Sequence, residues 1–126
     1  MDTRNKIIGY EKACELAHSG EPLLVIGYFD VLLAAHAREL SEIRAIKPGS
    51  ALLAGVLSSG DTVLAARARS EMVAALAMVD YVVNLDGQQA ACLAEAFPPQ
   101  RILHLEAAHV QRMRELIEHV RRRHSQ

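Results

Sequence analysis

The run Leu23-Leu24-Val25-Ile26-Gly27 constrains this chain more than any other stretch. Four consecutive apolar side chains leave no polar face, so a strand built from them has to be covered on both sides. Helices on both faces of a parallel sheet provide that cover. The remaining sequence supplies the pieces. Residues 10–18 have helical spacing and stop at Ser19-Gly20, with Gly20 suited to a left-handed C-terminal position. Residues 33–45 read as a second helix, with Leu33, His36, Ala37, Leu40 and Ile43 or Arg44 near one face. Pro48-Gly49 breaks the chain before an apolar strand at 51–57, and Ser58-Ser59-Gly60-Asp61 forms a polar loop. Residues 66–78 are an alanine-rich helix, and Tyr81-Val82-Val83 is β-branched and aromatic, hence a strand. Asp86 is placed to cap a helix over 88–96, which Pro98-Pro99 stops. A short strand at 101–105 and a helix at 107–122 complete the pattern. It predicts an α/β three-layer sandwich: a parallel Rossmann-like sheet of at least four strands joined by right-handed crossovers.

The 126 residues suit one domain, 1–126. A net charge of −1 gives no general attraction to nucleic acid, and no nucleic-acid partner is expected. No apolar run approaches the ~20 residues of a membrane-spanning helix, so no membrane partner is expected either. Met1-Asp2-Thr3-Arg4-Asn5-Lys6 does not lead into a signal-like apolar core. Cys14 and Cys92 stand alone, which suggests buried thiols and a cytoplasmic location. His104 and His109, like His119 and His124, are five apart, a spacing that does not share one helical face. Surface histidines and no metal site are expected. Val110, Met113, Leu116, Ile117 and Val120 form an apolar stripe on the last helix, wide enough to cover the sheet and reach a second chain as a homodimer.

The segment after the first long strand, Gly27-Tyr28-Phe29-Asp30-Val31-Leu32-Leu33-Ala34-Ala35-His36, carries the chemistry. A strand, a glycine turn and a helix start form the place where an open parallel sheet binds phosphates through backbone N–H groups. Gly27 lets backbone approach a ligand without a Cβ in the way. Asp30 can hold the loop by accepting backbone hydrogen bonds, and His36 can donate to a phosphoryl oxygen. Spacing alone favours the plainer account, in which Gly27 is only a turn and His36 only a polar helical residue.

The same segment resembles the signature of the cytidylyltransferase-like nucleotidyltransferases, G-x-F-D-x-x-H-x-G-H. Gly27, Phe29, Asp30 and His36 occupy the matching positions. The resemblance runs over roughly residues 6–97 in the family's order. Lys6-Ile7-Ile8 and the helix from Tyr10 resemble the lead-in of the heptose-phosphate adenylyltransferase branch. Arg69-Ser70-Glu71-Met72-Val73-Ala74-Ala75-Leu76 and Val79-Asp80-Tyr81-Val82-Val83 are similar to its arginine-bearing helix and its V-D-x-V-V strand. The resemblance implies a nucleotidyltransferase-like fold and nucleotide contacts from Gly27, Tyr28, Phe29, Asp30 and Arg69. It implies a catalytic role for His36, and Mg2+ if the chain is catalytically active.

The pattern is degenerate. Leu33 stands in place of the first histidine, and Ala35 in place of the glycine. Val25-Ile26 replaces a small polar pair, and no lysine follows Lys47. The family's closing serine/threonine-rich motif is missing beyond Arg101, where one long helix runs instead. Each missing donor costs on the order of 2–4 kcal/mol of transition-state stabilisation. The expectation is therefore a degenerate domain that binds a nucleotide, a sugar phosphate or a protein partner without efficient nucleotidyl transfer. The alternative is an active transferase joining a nucleoside monophosphate to a sugar phosphate.

Overall fold

The computed structural model describes residues 3–30, 34–58, 62 and 64–124. Its strands are β1 (Ile7–Ile8), β2 (Leu23–Gly27), β3 (Leu52–Leu57), β4 (Tyr81–Leu85) and β5 (Ile102–His104). The helices are α1 (Tyr10–Ala17), α2 (Ala34–Ile46), α3 (Ala66–Ala74), α4 (Gly87–Glu95) and α5 (Glu106–His124). The strands form one parallel sheet in the order β1-β4-β3-β2-β5.

The apolar runs go where their composition sends them. Every residue of β2 and β3 is buried. Leu23, Val25, Leu52, Ala54, Val56 and Val82 face Leu40 and Ile43 of α2 and Val73 and Ala74 of α3. The alternate residues Leu24, Ile26, Leu53, Val83 and Leu85 face Ala13 of α1 and Ala90 and Leu93 of α4. This is the three-layer sandwich that two-sided strands require. Full burial of a Leu or Val contributes roughly 1.5–3 kcal/mol, so Val25 and Ile26 serve the core on opposite faces.

Polar contacts join the layers at the sheet's ends. Arg44 at the end of α2 pairs with Asp80 and donates to Met78 O at 3.0 Å, while Asp80 accepts from Leu52 N at 2.8 Å. Asp86 caps α4 in a reciprocal box with Gln89: Gln89 N donates to Asp86 Oδ1 at 2.7 Å, and Asp86 N to Gln89 Oε1 at 3.1 Å. Gly20, at φ +76°, takes the left-handed conformation expected of it.

Three features depart from the sequence reading. The sheet has an additional edge strand, β1, where Ile7 and Ile8 pair with Val82 and Val83. Two residues are too few to show a period. Helix α3 ends at Ala74, because Leu76 N and Val79 N bond back to Val73 O and Leu76 O in a turn that delivers Val79 to the core. The thiols are not buried: Cys92 is exposed on α4, and Cys14 on α1 is only half-buried. Among the described residues, no helix is long and apolar enough to cross a membrane.

Candidate functional site

From β2 the chain steps to β3 and on to β4, then crosses back through α4 to place β5 on the other side of β2, so the winding direction reverses at β2. At such a switch point a crevice opens beyond the carboxyl ends of the strands. Gly27 ends β2 there. Two residues on, Phe29 has φ +50°, the left-handed region, although it is not glycine. Its fully buried ring, packed among Leu40, Val56 and Val73, offsets the cost of that backbone.

The backbone N–H groups of Tyr28 and Phe29 converge on one point, an arrangement that suits an anion. Here both serve a side chain of the same molecule. Tyr28 N and Phe29 N donate to Nδ1 of His109 at 3.1 and 3.2 Å. His109 lies in the first turn of α5, with its own N–H bonded to Leu105 O at 2.9 Å. The space that glycine leaves is the space the imidazole fills: a Cβ on Gly27 would stand 2.3 Å from His109 Cε1.

The expectation that His109 lies on the surface is corrected: it is 4% exposed. It falls four residues after Leu105 and four before Met113, both half-buried, and that spacing is the signal that would have placed it inside. Nδ1 accepts two hydrogen bonds, so the ring proton sits on Nε2, which is 3.5 Å from Glu39 Oε1. Glu39 Oε2 in turn meets Arg112 Nη2 at 3.3 Å.

His36, the candidate catalytic residue, comes from the start of α2 and is 2% exposed. Its ring centroid is 4.6 Å from that of His109 and 6.1 Å from that of Phe29. Among the described residues neither of its nitrogens has a hydrogen-bond partner, and Glu39 Oε1, His109 Nε2 and Arg112 Nη1 are likewise without one. Burial, with Arg112 nearby, pushes the His36 pKa down, against the opposing pull of Glu39. Burial and then the neighbouring His36 push His109 down to about 4. Both rings are therefore neutral at pH 7.

Asp30 and Arg69 brace the same corner. Asp30 Oδ1 accepts from Leu64 N at 2.9 Å, the backbone-holding role the sequence suggested. Arg69, the arginine for which the resemblance implies a nucleotide contact, is 1% exposed. Its guanidinium donates to Leu64 O at 3.0 Å, Tyr28 O at 2.7 Å and Leu57 O at 2.6 Å. It thus staples the ends of β2 and β3 to the approach to α3. Arg67, two residues earlier, points outward and pairs with Glu71. The signal for Arg69 was its place four residues before Val73, on the buried stripe of α3.

Beside this corner is a cleft of about 320 Å³ bordered by Tyr28, Asp30, Thr62, His109, Met113 and Arg114. A wider groove of about 640 Å³ lies at the opposite end of the sheet, against Pro22, Ala51 and Tyr81. It faces the strands' amino ends, away from the signature loop. Leu33 and the Ser59-Gly60-Asp61 part of the polar loop lie outside the described residues. His104 is exposed beside Glu106. Among the described residues no group of three or more His, Cys, Asp or Glu side chains is arranged to hold a metal ion. No family model and no curated protein matches this chain.

Proposed function

We propose that this chain is a nucleotidyltransferase-like domain of the cytidylyltransferase type that holds a phosphate-bearing ligand at the carboxyl end of β2 without efficient nucleotidyl transfer. The observation that carries the reading is the convergence of the Tyr28 and Phe29 N–H groups on a single acceptor. Paired amides at a sheet's switch point are an anion-seeking arrangement. The order of Gly27, Phe29, Asp30 and His36 along the chain supports the family.

The groups available for catalysis are poorly disposed for it. Transfer of a nucleotidyl group depends on positioned cations and donors around the reacting phosphate. Arg69 is occupied by three backbone carbonyls, and His36 is buried and neutral. Incubation with ATP or CTP and sugar phosphates should release little pyrophosphate, while calorimetric titration with the same compounds should register binding. Robust turnover that His36→Ala abolishes overturns the non-catalytic reading.

An active transferase is the second reading, favoured by one observation. The family motif supplies two histidines, and here His36 and His109 lie with centroids 4.6 Å apart, the second ring coming from α5. In either case the proposal includes a two-fold pair of chains meeting across α5, where Val110, Ile117 and Val120 are exposed.

A further inference from the structure

The amide pair at Tyr28 and Phe29 already has an occupant, and the character of that occupant has consequences. Each N–H carries one proton, and both are directed at His109 Nδ1. The ring fills the slot above Gly27 so closely that even a Cβ there would collide with it. A ligand oxygen and the imidazole cannot share this position.

His109 is a weak holder of the place. It accepts as a neutral ring, whereas hydrogen bonds to an ionised acceptor are roughly twice as strong. Its Nε2 stands at the edge of reach of Glu39. Around it are polar atoms with nothing to bond among the described residues: the donor Arg112 Nη1 and the two nitrogens of the 2%-exposed His36, one of which carries the neutral ring's proton. The ring also has somewhere to go, because His109 borders the adjoining cleft of about 320 Å³.

We infer that His109 is a displaceable internal occupant of the ligand corner: an oxyanion takes the Tyr28 and Phe29 amides only as the imidazole swings into the cleft. The inference rests on the reading of this corner as a phosphate site and adds its regulation. Apparent affinity is reduced by the fraction of molecules in which the corner is vacant, so His109 sets the threshold at which ligand binds.

Acidity acts on the same exchange. The groups facing the ring are His36 and Glu39 from α2 and Arg112 from α5, and the cleft it enters on release is bordered by the titratable or charged groups Tyr28, Asp30 and Arg114. Seated, the ring resists protonation down to about pH 4. Released, it regains an ordinary pKa of ~6.5. Protonation therefore favours release and adds a positive charge beside the anion, and binding strengthens as pH falls from neutrality toward 5.

Inorganic pyrophosphate, at constant ionic strength and pH 8, is the probe. In the wild-type chain it should move the Tyr28 and Phe29 amide resonances and shift the His109 Nδ1 signal to that of an unbonded nitrogen. Calorimetry should find His109→Ala binding at least about tenfold tighter, since no ring has to leave. His109→Ala should also lose the part of the acid-side strengthening that belongs to this ring. Pyrophosphate binding that leaves the His109 signals unchanged, or equal affinity in a folded His109→Ala, overturns the displacement while the ligand reading stands. If neither protein binds pyrophosphate at millimolar concentration, the ligand reading fails and the displacement goes with it.

Discussion

Gly27 and His109 fit as slot and insert: an added Cβ on Gly27 would stand 2.4 Å from His109 Nδ1. Gly27→Ala should therefore unseat the ring and destabilise the protein by about 1–3 kcal/mol, the usual cost of overfilling a packed site. In a His109→Ala background the same substitution should cost much less. Urea unfolding of the four proteins in a double-mutant cycle measures that coupling. Additive costs would show that the contact carries no energy.

Arg69→Met should be among the most damaging substitutions in the chain. It leaves Leu57 O, Leu64 O and Tyr28 O without their donor. An expected loss of about 3–5 kcal/mol follows from stranding buried polar groups. Arg69→Lys should recover only part, because one ammonium cannot reproduce the planar fork. Chemical denaturation reads both.

Stability should decline on the acid side through the two buried histidines. Both have pKa values lowered in the folded state, that of His109 to about 4 from its ordinary 6.5. Between those values the unfolded chain binds more protons than the folded one, so stability rises with pH across the window and falls as pH drops through it. Below about 4 the contribution of His109 is exhausted. Urea midpoints from pH 7.5 to pH 4 should show the slope, and His109→Gln should flatten it. An unchanged slope in that variant assigns the acid sensitivity elsewhere.

The cap of α4 should be worth about 1 kcal/mol. Asp86→Ala removes the acceptor for Gln89 N and leaves the Gln89 side chain without its ordered partnership. Asp86→Ser should retain most of the stability, since a hydroxyl can accept the same N–H. Thermal unfolding distinguishes the three proteins.

Light scattering over a range of concentrations tests the proposed pair of chains. A dimer at micromolar concentration is expected, and Ile117→Glu should dissociate it without lowering the stability of the monomer, because Ile117 is exposed in the single chain. A monomeric wild type removes the dimer and leaves the fold untouched.

The sheet was legible because a wholly apolar run such as Leu23 to Ile26 fits only where both faces are covered. The α4 cap was legible too, since Asp86 and Gln89 interact over three residues. The roles of His109 and Arg69 were not. Their partners lie far along the chain, 81 and 80 residues away for His109 and 41 for the Arg69 bond to Tyr28. Local periodicity signals that a side chain turns inward. It carries no information on which distant backbone group will meet it. The loop was likewise read as open to a ligand because nothing in residues 27–36 announces an imidazole arriving from α5.

That separation also orders the events of folding. Strands β2, β3 and β4 and the helices between them can assemble through comparatively near neighbours, whereas pairing residues 28 and 29 with residue 109 must await α5. During synthesis, the amides of Tyr28 and Phe29 remain hydrated after most of the sheet has emerged. A nascent chain that folds in this order has a vacant corner until α5 arrives to fill it.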